Sequence, residues 1–431
     1  MLPEQTTVLV VGAGPTGLAA AISLIKAGCN DVVVVDGAKE KSIFTSRAMA
    51  IHAATLEALD SIGCADELVE RGIKGVGIAM SDRTNKLVTP SFDYLASYTK
   101  YPFVLLLPQH ITEEILERDL EELGKEVLYS HKVVGVQDSG IEGVTSVQFE
   151  NGSVIEAKYI VGADGARSVV RQLAGVNFKD PDGDNIDNDN ATAQLVLADV
   201  IFNTTSPVLP LDSGVGSISN QGFFFCAPLP KSEESDDGVP YRVGFNVPLA
   251  AGAPPSNPPT EYIQEHLDKV GPVNMSSDPS VNPSPIHIAK TIWSTRFRTH
   301  SAIADKFLTK LRVDNTDRDG AVVFLVGDAA HIHSPAGGQG MNLGIRDAVG
   351  LGASLNRSIG GESGVLEEYA KQRHERALSI IRLTKRILSF IGAVSSSGIF
   401  GGVQATAIWL VGRIPYVRRM AAWQVSGLGN R

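Results

Sequence analysis

The 431-residue chain is poor in cysteine and has no excess of positive charge. Its three cysteines, Cys29, Cys64 and Cys226, lie far apart and form no CxxC pair, which argues against a disulfide framework or a zinc ribbon and suits a reducing compartment. The formal net charge is -10 at pH 7, so a nucleic-acid backbone would repel the chain on average. No basic stretch followed by an apolar run stands near the N-terminus. We therefore expect a cytoplasmic globular protein without a nucleic-acid partner.

One long uncharged segment qualifies this expectation. Residues Ile387 to Gly412 carry no charge and are long enough to span a bilayer. The run from Ser395 to Gly398 and the pair Gly401 and Gly402 interrupt the segment. We expect two packed helices joined by a turn, with membrane association through 387–412 as the alternative.

The predicted secondary structure changes in character along the chain. Strands and helices alternate at the start, strands follow one another in the middle, and helices fill the end. The predicted elements are a strand at 8–11, a helix at 18–26, a strand at 32–35, helices at 54–71 and 112–123, a β region at 126–161 with a hairpin at 151–152, strands at 194–202, 222–228, 241–247 and 322–326, and helices after residue 340. This order predicts an α/β fold whose nucleotide-binding type of sheet is interrupted by an inserted, mostly antiparallel sheet and followed by a helical C-terminus.

A glycine-rich turn follows the first predicted strand. Gly12, Gly14 and Gly17 form a GxGxxG pattern, and Asp36 ends the next strand. The first glycine permits a tight turn, the second lets a pyrophosphate approach the backbone, the third allows close helix packing, and the acid can accept ribose hydroxyls. The pattern predicts a bound dinucleotide. Asp36 argues against a 2′-phosphate, and the motif alone leaves FAD and NAD open.

Two further turns each carry one aspartate at the end of a predicted strand. Asp164 lies in the turn from Gly162 to Ser168, and Asp328 lies in the segment that runs from Gly327 to Asn342. Open α/β sheets bind ligands at such strand ends. The second segment also begins a helix, whose N-terminal N–H groups can face a partly anionic ligand.

Together these three segments resemble the class A flavoprotein monooxygenases, the family of 4-hydroxybenzoate 3-hydroxylase and phenol 2-monooxygenase. The resemblance extends to around Leu388. It implies a Rossmann-type FAD-binding domain built from residues 1–178 and 299–388, an inserted substrate-binding β-sheet domain at 179–298, and C-terminal helices at 389–431.

The resemblance also implies contacts between FAD and single residues. The expected set is Gly12, Gly14, Gly17 and Asp36 on the adenosine diphosphate, Arg47 on the phosphate side, Gln109 on the ribityl chain, Asp164 where flavin and nicotinamide contacts meet, Asp328 on the ribityl hydroxyls, Pro335 beside the isoalloxazine ring, and the turn of Gly340, Met341 and Asn342, whose N–H groups would stabilise negative charge at N1–C2=O of the reduced flavin.

The activity that the resemblance implies is hydroxylation of an electron-rich, phenol-like aromatic compound. FAD would be the cofactor, NADPH or NADH and O2 the co-substrates, and a C4a-hydroperoxyflavin the oxygenating species. Two enzymatic alternatives stay open: flavin-dependent epoxidation of an alkene or heterocycle, and reduction of isoprenoid double bonds without oxygen. FAD binding without catalysis is a remote alternative, and a homodimer is left open.

The means of activating the substrate does not carry over from the relatives. The tyrosine and the carboxylate-binding arginine of 4-hydroxybenzoate 3-hydroxylase would align near Gly216 and Leu229, and the aspartate of phenol 2-monooxygenase near Met49. We expect Arg242, in preference to its neighbour Tyr241, to serve instead, because a nearby cation lowers the pKa of a phenol. Only one of two adjacent strand residues can face the pocket. Pairing of Arg242 with a carboxylate is the structural alternative.

Two motifs that hint at metal binding are set aside. His331 and His333 stand two residues apart in a predicted loop, and we expect no carboxylate or cysteine beside them to complete a metal site. The acidic run from Asp180 to Asp184 has Ala191 where a calcium loop needs glutamate. We expect no metal.

Overall fold

The computed structural model describes residues 2–40, 48–89, 91–183, 193–204, 208–231, 238–312, 318–335, 337–396 and 414–430. The strands, numbered along the chain, are β1 (Gln5–Val11), β2 (Val32–Val35), β3 (Ala50–Ile51), β4 (Ile73–Gly75), β5 (Ile78–Ser81), β6 (Lys86–Val88), β7 (Val104–Leu106), β8 (Val127–Leu128), β9 (Val133–Asp138), β10 (Thr145–Phe149), β11 (Val154–Gly162), β12 (Phe178–Lys179), β13 (Ala193–Phe202), β14 (Gly214–Ser219), β15 (Gly222–Pro228), β16 (Pro240–Val247), β17 (Ile288–Thr299), β18 (Ala302–Ala304), β19 (Leu308–Lys310), β20 (Val322–Leu325) and β21 (His331–Ile332). The helices are α1 (Pro15–Lys26), α2 (Ala53–Ser61), α3 (Asp66–Arg71), α4 (Gln109–Glu122), α5 (Val169–Leu173), α6 (Thr260–Val270), α7 (Gln339–Ile359), α8 (Val365–Ser396) and α9 (Pro415–Ser426).

The first large sheet has parallel strands at its centre, in the order β20-β11-β1-β2-β8. Strand β19 pairs antiparallel with β20 at one edge, and β10 and β9 extend antiparallel from β11. The central strands are rich in valine and almost entirely buried, as expected for a sheet covered on both faces. We call it the cofactor sheet.

Helices α1 and α7 pack closely against each other through small residues. A Cβ atom on Gly344 would lie 2.5 Å from Thr16 Oγ1, and one on Gly352 would lie 2.3 Å from Ser23 Oγ. Ser23 also donates a hydrogen bond to the Val349 carbonyl at 2.7 Å. Glycine at these two positions therefore lets α7, which is distant in sequence, lie directly on the dinucleotide helix.

The second large sheet runs in the order β17-β13-β16-β15-β14-β5-β6, and we call it the substrate sheet. Helix α6 covers one of its faces, where Ile263 and Leu267 join a buried apolar cluster with Val243 and Phe245. Strands β13 to β17 lie in the predicted insertion. Strands β5 and β6 come from residues 78–88, so the first segment of the chain also contributes to this sheet.

The predicted elements are confirmed except where a long helix was expected at 54–71. That segment forms two helices, α2 and α3, because the chain turns at Gly63, where φ is +81°. The hairpin predicted at Asn151 and Gly152 joins β10 to β11. The first helix expected in the uncharged segment is the end of α8, and residues 397–412 lie outside the described residues. Among the described helices, none is both long and apolar enough to cross a membrane.

Candidate cofactor site and active site

The site forms where four parallel strands end at one edge of the cofactor sheet. Val11 pairs in register with both Val35 and Gly162, and Gly162 pairs with Leu325. The chain leaves all four strands at this level, and backbone hydrogen bonds tie the turns together: Ala163 N–H donates to the Val11 carbonyl at 2.8 Å and Val326 N–H to the Gly162 carbonyl at 3.1 Å. The three sequence motifs are therefore neighbours in space.

Each glycine of the first turn is required for a different structural reason. Gly12 has φ +108°, and a Cβ on it would lie 2.3 Å from the Ala163 carbonyl oxygen. A Cβ on Gly17 would lie 1.8 Å from the Gly12 carbonyl oxygen. Gly14, the N-cap of α1, would place a Cβ with no atom within 4 Å. Gly12 and Gly17 thus allow close approach of neighbouring backbone, whereas Gly14 faces open space that a ligand can occupy.

Asp36 holds the first turn through its carboxylate. Oδ2 accepts a hydrogen bond from Ala13 N–H and Oδ1 accepts one from Ala38 N–H, each at 2.7 Å. Each carboxylate oxygen has a second lone pair that can accept from a ribose hydroxyl. The residue therefore shapes the turn and can still recognise a ribose.

Asp164 caps the short helix α5 with one oxygen only. Oδ2 accepts hydrogen bonds from Val169 N–H at 2.7 Å and Val170 N–H at 3.1 Å. Oδ1 is buried and has no hydrogen-bond partner in the described part of the chain. A buried carboxylate oxygen of this kind normally has a partner, so Oδ1 is suited to accept a hydrogen bond from a ligand.

Arg171, which the sequence analysis did not select, joins the second turn to the third. Its guanidinium donates to the Ala166 carbonyl at 2.9 Å and to the Ala329 carbonyl at 2.8 Å. The side chain is buried and its Cζ lies 3.8 Å from the centre of the Phe178 ring. An arginine shortly after a turn motif is too common a feature to reveal this role from sequence.

The third turn places Asp328 at the surface of the site. Gly327 has φ +58°, and a Cβ on it would lie 2.8 Å from Thr16 Oγ1. Asp328 follows in a short 3-10 turn and is exposed, in contrast to its buried neighbours Gly327 and Ala329. The carboxylate is therefore presented at the strand end, as its predicted role requires.

The N-terminus of α7 lies close to the chain just before α2. Gly338, with φ +62°, is the N-cap, and no side chain caps this end among the described residues. Gly338 N–H donates to the Pro335 carbonyl at 2.9 Å. Beyond the cap, Gly340 has open space where a Cβ would be, and Met341 is half-buried. The first N–H groups of this 21-residue helix can therefore face a ligand.

The Asn342 side chain is a clamp rather than a ligand contact. It is fully buried, donates to the Ala50 carbonyl at 2.8 Å and the Gly338 carbonyl at 2.7 Å, and accepts from His52 N–H at 2.7 Å. His52 lies beside Gly338, and burial, together with the nearby Arg346 cation, lowers its pKa to about 3. The imidazole is thus neutral at this helix end.

Gln109 and Ala48 connect the cofactor side to the substrate sheet. Gln109 N–H donates to the Ala48 carbonyl at 3.0 Å, and Gln109 Oε1 accepts from Ala48 N–H at 3.4 Å. The same Ala48 carbonyl accepts from Arg242 Nη1 at 3.2 Å. Arg47, expected on the phosphate side of FAD, lies outside the described residues.

Arg242 and Tyr241 point to opposite faces of the substrate sheet. Tyr241 packs in the apolar cluster on the α6 side, its hydroxyl donates to the Leu209 carbonyl at 3.1 Å, and burial raises its pKa to about 12. Arg242 is 1% exposed and makes a two-pronged ion pair with Asp199, with distances of 2.7 and 2.8 Å. Tyr241 therefore packs in the core of the substrate sheet. Of these two adjacent residues, Arg242 is the one that faces the cofactor side.

A carboxylate does lie next to His331, contrary to the expectation from sequence. His331 Nε2 is 2.6 Å from Asp347 Oδ2, and both side chains are buried. The two residues are 16 positions apart, on β21 and α7, so only the packing of α7 brings them together. The described residues contain no group of three or more metal-binding side chains.

The residues of this site fit FAD. The Gly14 turn and the N-terminus of α1 are suited to the diphosphate, Asp36 to the ribose, Asp328 to the ribityl hydroxyls and the N-terminus of α7 to the flavin pyrimidine edge. Asp164 Oδ1, buried and without a partner in the described part of the chain, is the structural sign of a ligand. The open space at Gly14 and Gly340 leaves room for one. This fold and site define a flavin-dependent oxidoreductase.

Residues 5–237 and 286–384 match the family model described as "FAD binding domain", and the chain belongs to this family. It is 30% identical over 98% of its length to an aromatic compound monooxygenase of Bacillus subtilis, covering 75% of that protein. It is 32% identical over 98% of its length to 12-dehydrotetracycline 5-monooxygenase/anhydrotetracycline 6-monooxygenase of Streptomyces rimosus, covering 76% of that protein. The crystal structure of p-nitrophenol 4-monooxygenase from Pseudomonas putida matches all of both chains with a TM-score of 0.76 at 23% identity, which shows the shared fold.

The chain is thus an FAD-dependent monooxygenase of the aromatic hydroxylase type. This confirms the resemblance drawn from the three motifs, and it disfavours both the epoxidase and the oxygen-independent reductase.

Proposed function

We propose that the protein uses NADPH or NADH, together with O2, to hydroxylate an electron-rich, phenol-like ring. The observation that carries this proposal is the N-terminus of α7, beside the turns that fit FAD. There, no side chain of the described residues caps the N–H groups after Gly338. Helix N–H groups stabilise negative charge where they point. Bound FAD would supply the reduction and oxygen-activation chemistry.

The chain's own residues would hold and orient this cofactor. Asn342 fixes the first turn of α7 against Ala50, and the neutral His52 packs beside it without adding a charge. Tight packing of α7 on α1 keeps both helix ends aimed at one cofactor. The relatives support an aromatic substrate, because they are named as monooxygenases of an aromatic compound and of a tetracycline.

Arg242 is best assigned a positioning role in this reaction. Its charge is neutralised by Asp199, which weakens any effect on the pKa of a substrate phenol. Its contact with the Ala48 carbonyl instead ties the substrate sheet to the segment that leads to His52. The pKa effect expected from sequence would show as a higher apparent pKa for hydroxylation in Arg242→Ala than in Arg242→Lys over about pH 6 to 9. We expect the two profiles to coincide.

The experiment that tests the function is a substrate panel with the FAD-loaded protein. Oxidation of NADPH and of NADH, oxygen uptake and product mass are measured for a set of phenols. We expect at least one phenol to accelerate coenzyme oxidation and to gain one oxygen atom, with one O2 used per coenzyme. Coenzyme oxidation that no phenol accelerates, or products formed equally well without oxygen, would overturn the proposal.

A further inference from the structure

The two faces of the substrate sheet differ in chemistry. Because side chains alternate along a strand, Arg242 and Gly244 share one face of β16, whereas Val243 and Phe245 point to the α6 side and join its apolar cluster. We call the face of Arg242 and Gly244 the inner face. Phe225 of β15 and Leu197 of β13 are the cross-strand partners of Gly244.

The inner face borders the cofactor site at two places. Arg242 Nη1 donates to the Ala48 carbonyl at 3.2 Å. Helix α8 lies against β14 and β15, and its Ile387 Cδ1 is 4.0 Å from the position that a Cβ on Gly337 would take. The face therefore lies near both the segment before α2 and the turn that begins α7.

Gly244 is covered by the ring of Phe225. A Cβ on Gly244 would lie 2.2 Å from Phe225 Cε1, 2.7 Å from Phe225 Cζ and 2.8 Å from Leu197 Cδ2. The ring thus occupies the place of the missing side chain and lies across β16. Phe225 is only half-buried, and the Phe223 ring is 6.0 Å away. The inner face presents a partly open aromatic surface that no residue larger than glycine at 244 would allow.

Around Phe225 and Gly244, strands β13 to β16 offer no cation other than Arg242 to an acidic substrate. In β13 to β16 the charged residues are Arg242 and Asp199 alone, and they pair with each other. A carboxylate brought onto this surface would lose water without gaining a partner, which is unfavourable. Aromatic rings gain from packing against one another in offset or edge-on arrangements.

We propose that Phe225, held across Gly244, is the surface on which the substrate ring packs, and that it selects planar, uncharged aromatic compounds over those with a carboxylate. The inference rests on the proposed function and adds a substrate class and two specificity-determining residues to it.

A binding experiment without turnover tests this selection. The FAD-loaded protein, without NADPH or NADH, is titrated with 2-naphthol and with 6-hydroxy-2-naphthoate, which share the ring system and differ in one carboxylate. The change in flavin absorbance reports binding. We expect 2-naphthol to bind at least tenfold more tightly.

Two variants and a matched control locate the surface. Gly244→Ala displaces the Phe225 ring, and Phe225→Leu removes it, so each should weaken 2-naphthol binding at least fivefold. Gly214→Ala is the control, because its Cβ would meet Ile78 at an ordinary 3.4 Å, and it should bind as the wild type does. Should Gly244→Ala fail to fold by circular dichroism, Phe225→Leu decides.

Equal affinity for the two naphthol compounds would overturn the selection, and so would failure of both to bind. Wild-type binding of 2-naphthol in Phe225→Leu would overturn the role of this surface. The phenol panel tests the proposed function independently of this titration. If the protein hydroxylates a phenol but does not prefer 2-naphthol in the titration, the proposed function stands and the inference about Phe225 is wrong.

Discussion

The cofactor sheet and the substrate sheet build their parts of the active site in different ways. The cofactor sheet uses the ends of parallel strands, where turns of small residues leave backbone groups and a few carboxylates for the ligand. The substrate sheet instead offers one face of antiparallel strands, on which Phe225 and the paired Arg242 and Asp199 lie. The cofactor turn depends on Gly12 and Gly17, which cannot be replaced without strain, whereas a sheet face can change one side chain at a time.

The comparison explains how one cofactor fold can serve different substrates. Gly12 and Gly17 contact other parts of the backbone, so the cofactor part is constrained by the fold itself. The inner face of the substrate sheet is constrained by side chains, at Gly244 under the Phe225 ring and at the Arg242–Asp199 pair. The following predictions test this contrast, from the largest expected effect to the smallest.

Removal of the buried cation should destabilise the substrate sheet most. Arg242→Ala leaves the Asp199 carboxylate without its partner, and we expect the free energy of unfolding to fall by about 3–5 kcal/mol. Chemical denaturation measures this loss. Arg242→Lys keeps the charge but not the planar fork and should lose less. An unchanged denaturation midpoint in Arg242→Ala would show that the pair is not important for this sheet.

Two glycines of the same turn should respond differently to alanine. In Gly12→Ala the positive φ costs about 1–2 kcal/mol and the contact with the Ala163 oxygen forces a backbone shift worth about 1–3 kcal/mol, so thermal stability should drop. Gly14→Ala should keep wild-type stability yet bind FAD at least about tenfold more weakly, because its methyl takes space suited to the diphosphate. Thermal unfolding and FAD titration of both variants provide the comparison. Equal thermal stability and equal FAD affinity in Gly12→Ala and Gly14→Ala would contradict the different roles of the two glycines.

Asp328→Ala should weaken FAD binding without affecting the fold, because the residue is exposed. Loss of charge-assisted hydrogen bonds predicts a decrease of about 1.5–3 kcal/mol in affinity, together with slower flavin reduction. Glu4→Ala removes an exposed carboxylate at the opposite end of the sheet, just before β1, and is the control. Unaltered FAD dissociation in Asp328→Ala would remove its ribityl role.

The buried His52 beside the N-terminus of α7 should make stability sensitive to acid. Its pKa is about 3 in the folded protein, below the ordinary value of 6.5, so the unfolded chain binds more protons between these values. Stability contributed by the neutral imidazole is therefore full above pH 6.5 and falls as pH decreases, by at most about 1.4 kcal/mol per pH unit. His52→Gln should reduce this slope in denaturation at pH 7, 6 and 5. Burial lowers the pKa of His333 to about 4. This residue therefore also makes stability fall as pH decreases, to the same extent in the wild type and in His52→Gln. An equal slope in wild type and His52→Gln would contradict the prediction.

The convergence of the three candidate cofactor-binding turns could be predicted from sequence because its signals are local. Gly12, Gly14, Gly17 and Asp36 lie within one strand-helix-strand unit, and the turns at Asp164 and Asp328 each follow one apolar strand. Their convergence follows from the rule that parallel strands end at the same edge. Where local signals were weak the prediction was wrong, as in the helix expected at 54–71, which Gly63 divides.

The contacts that define the rest of the site depend on distant partners. His331 meets Asp347 only because α7 packs on the cofactor sheet, and Arg242 meets Asp199 only because β13 and β16 pair in one register. A one-residue slip of that register would send every side chain to the other face, so the strand pattern alone could not choose between Tyr241 and Arg242. Sequence by itself determined that a dinucleotide is bound, the fold class and the order of the elements, since these rest on short-range spacing. The choice of FAD came from the resemblance that the three motifs carry together. Tertiary structure decided which residues face the substrate, because register and helix packing are set by the whole core.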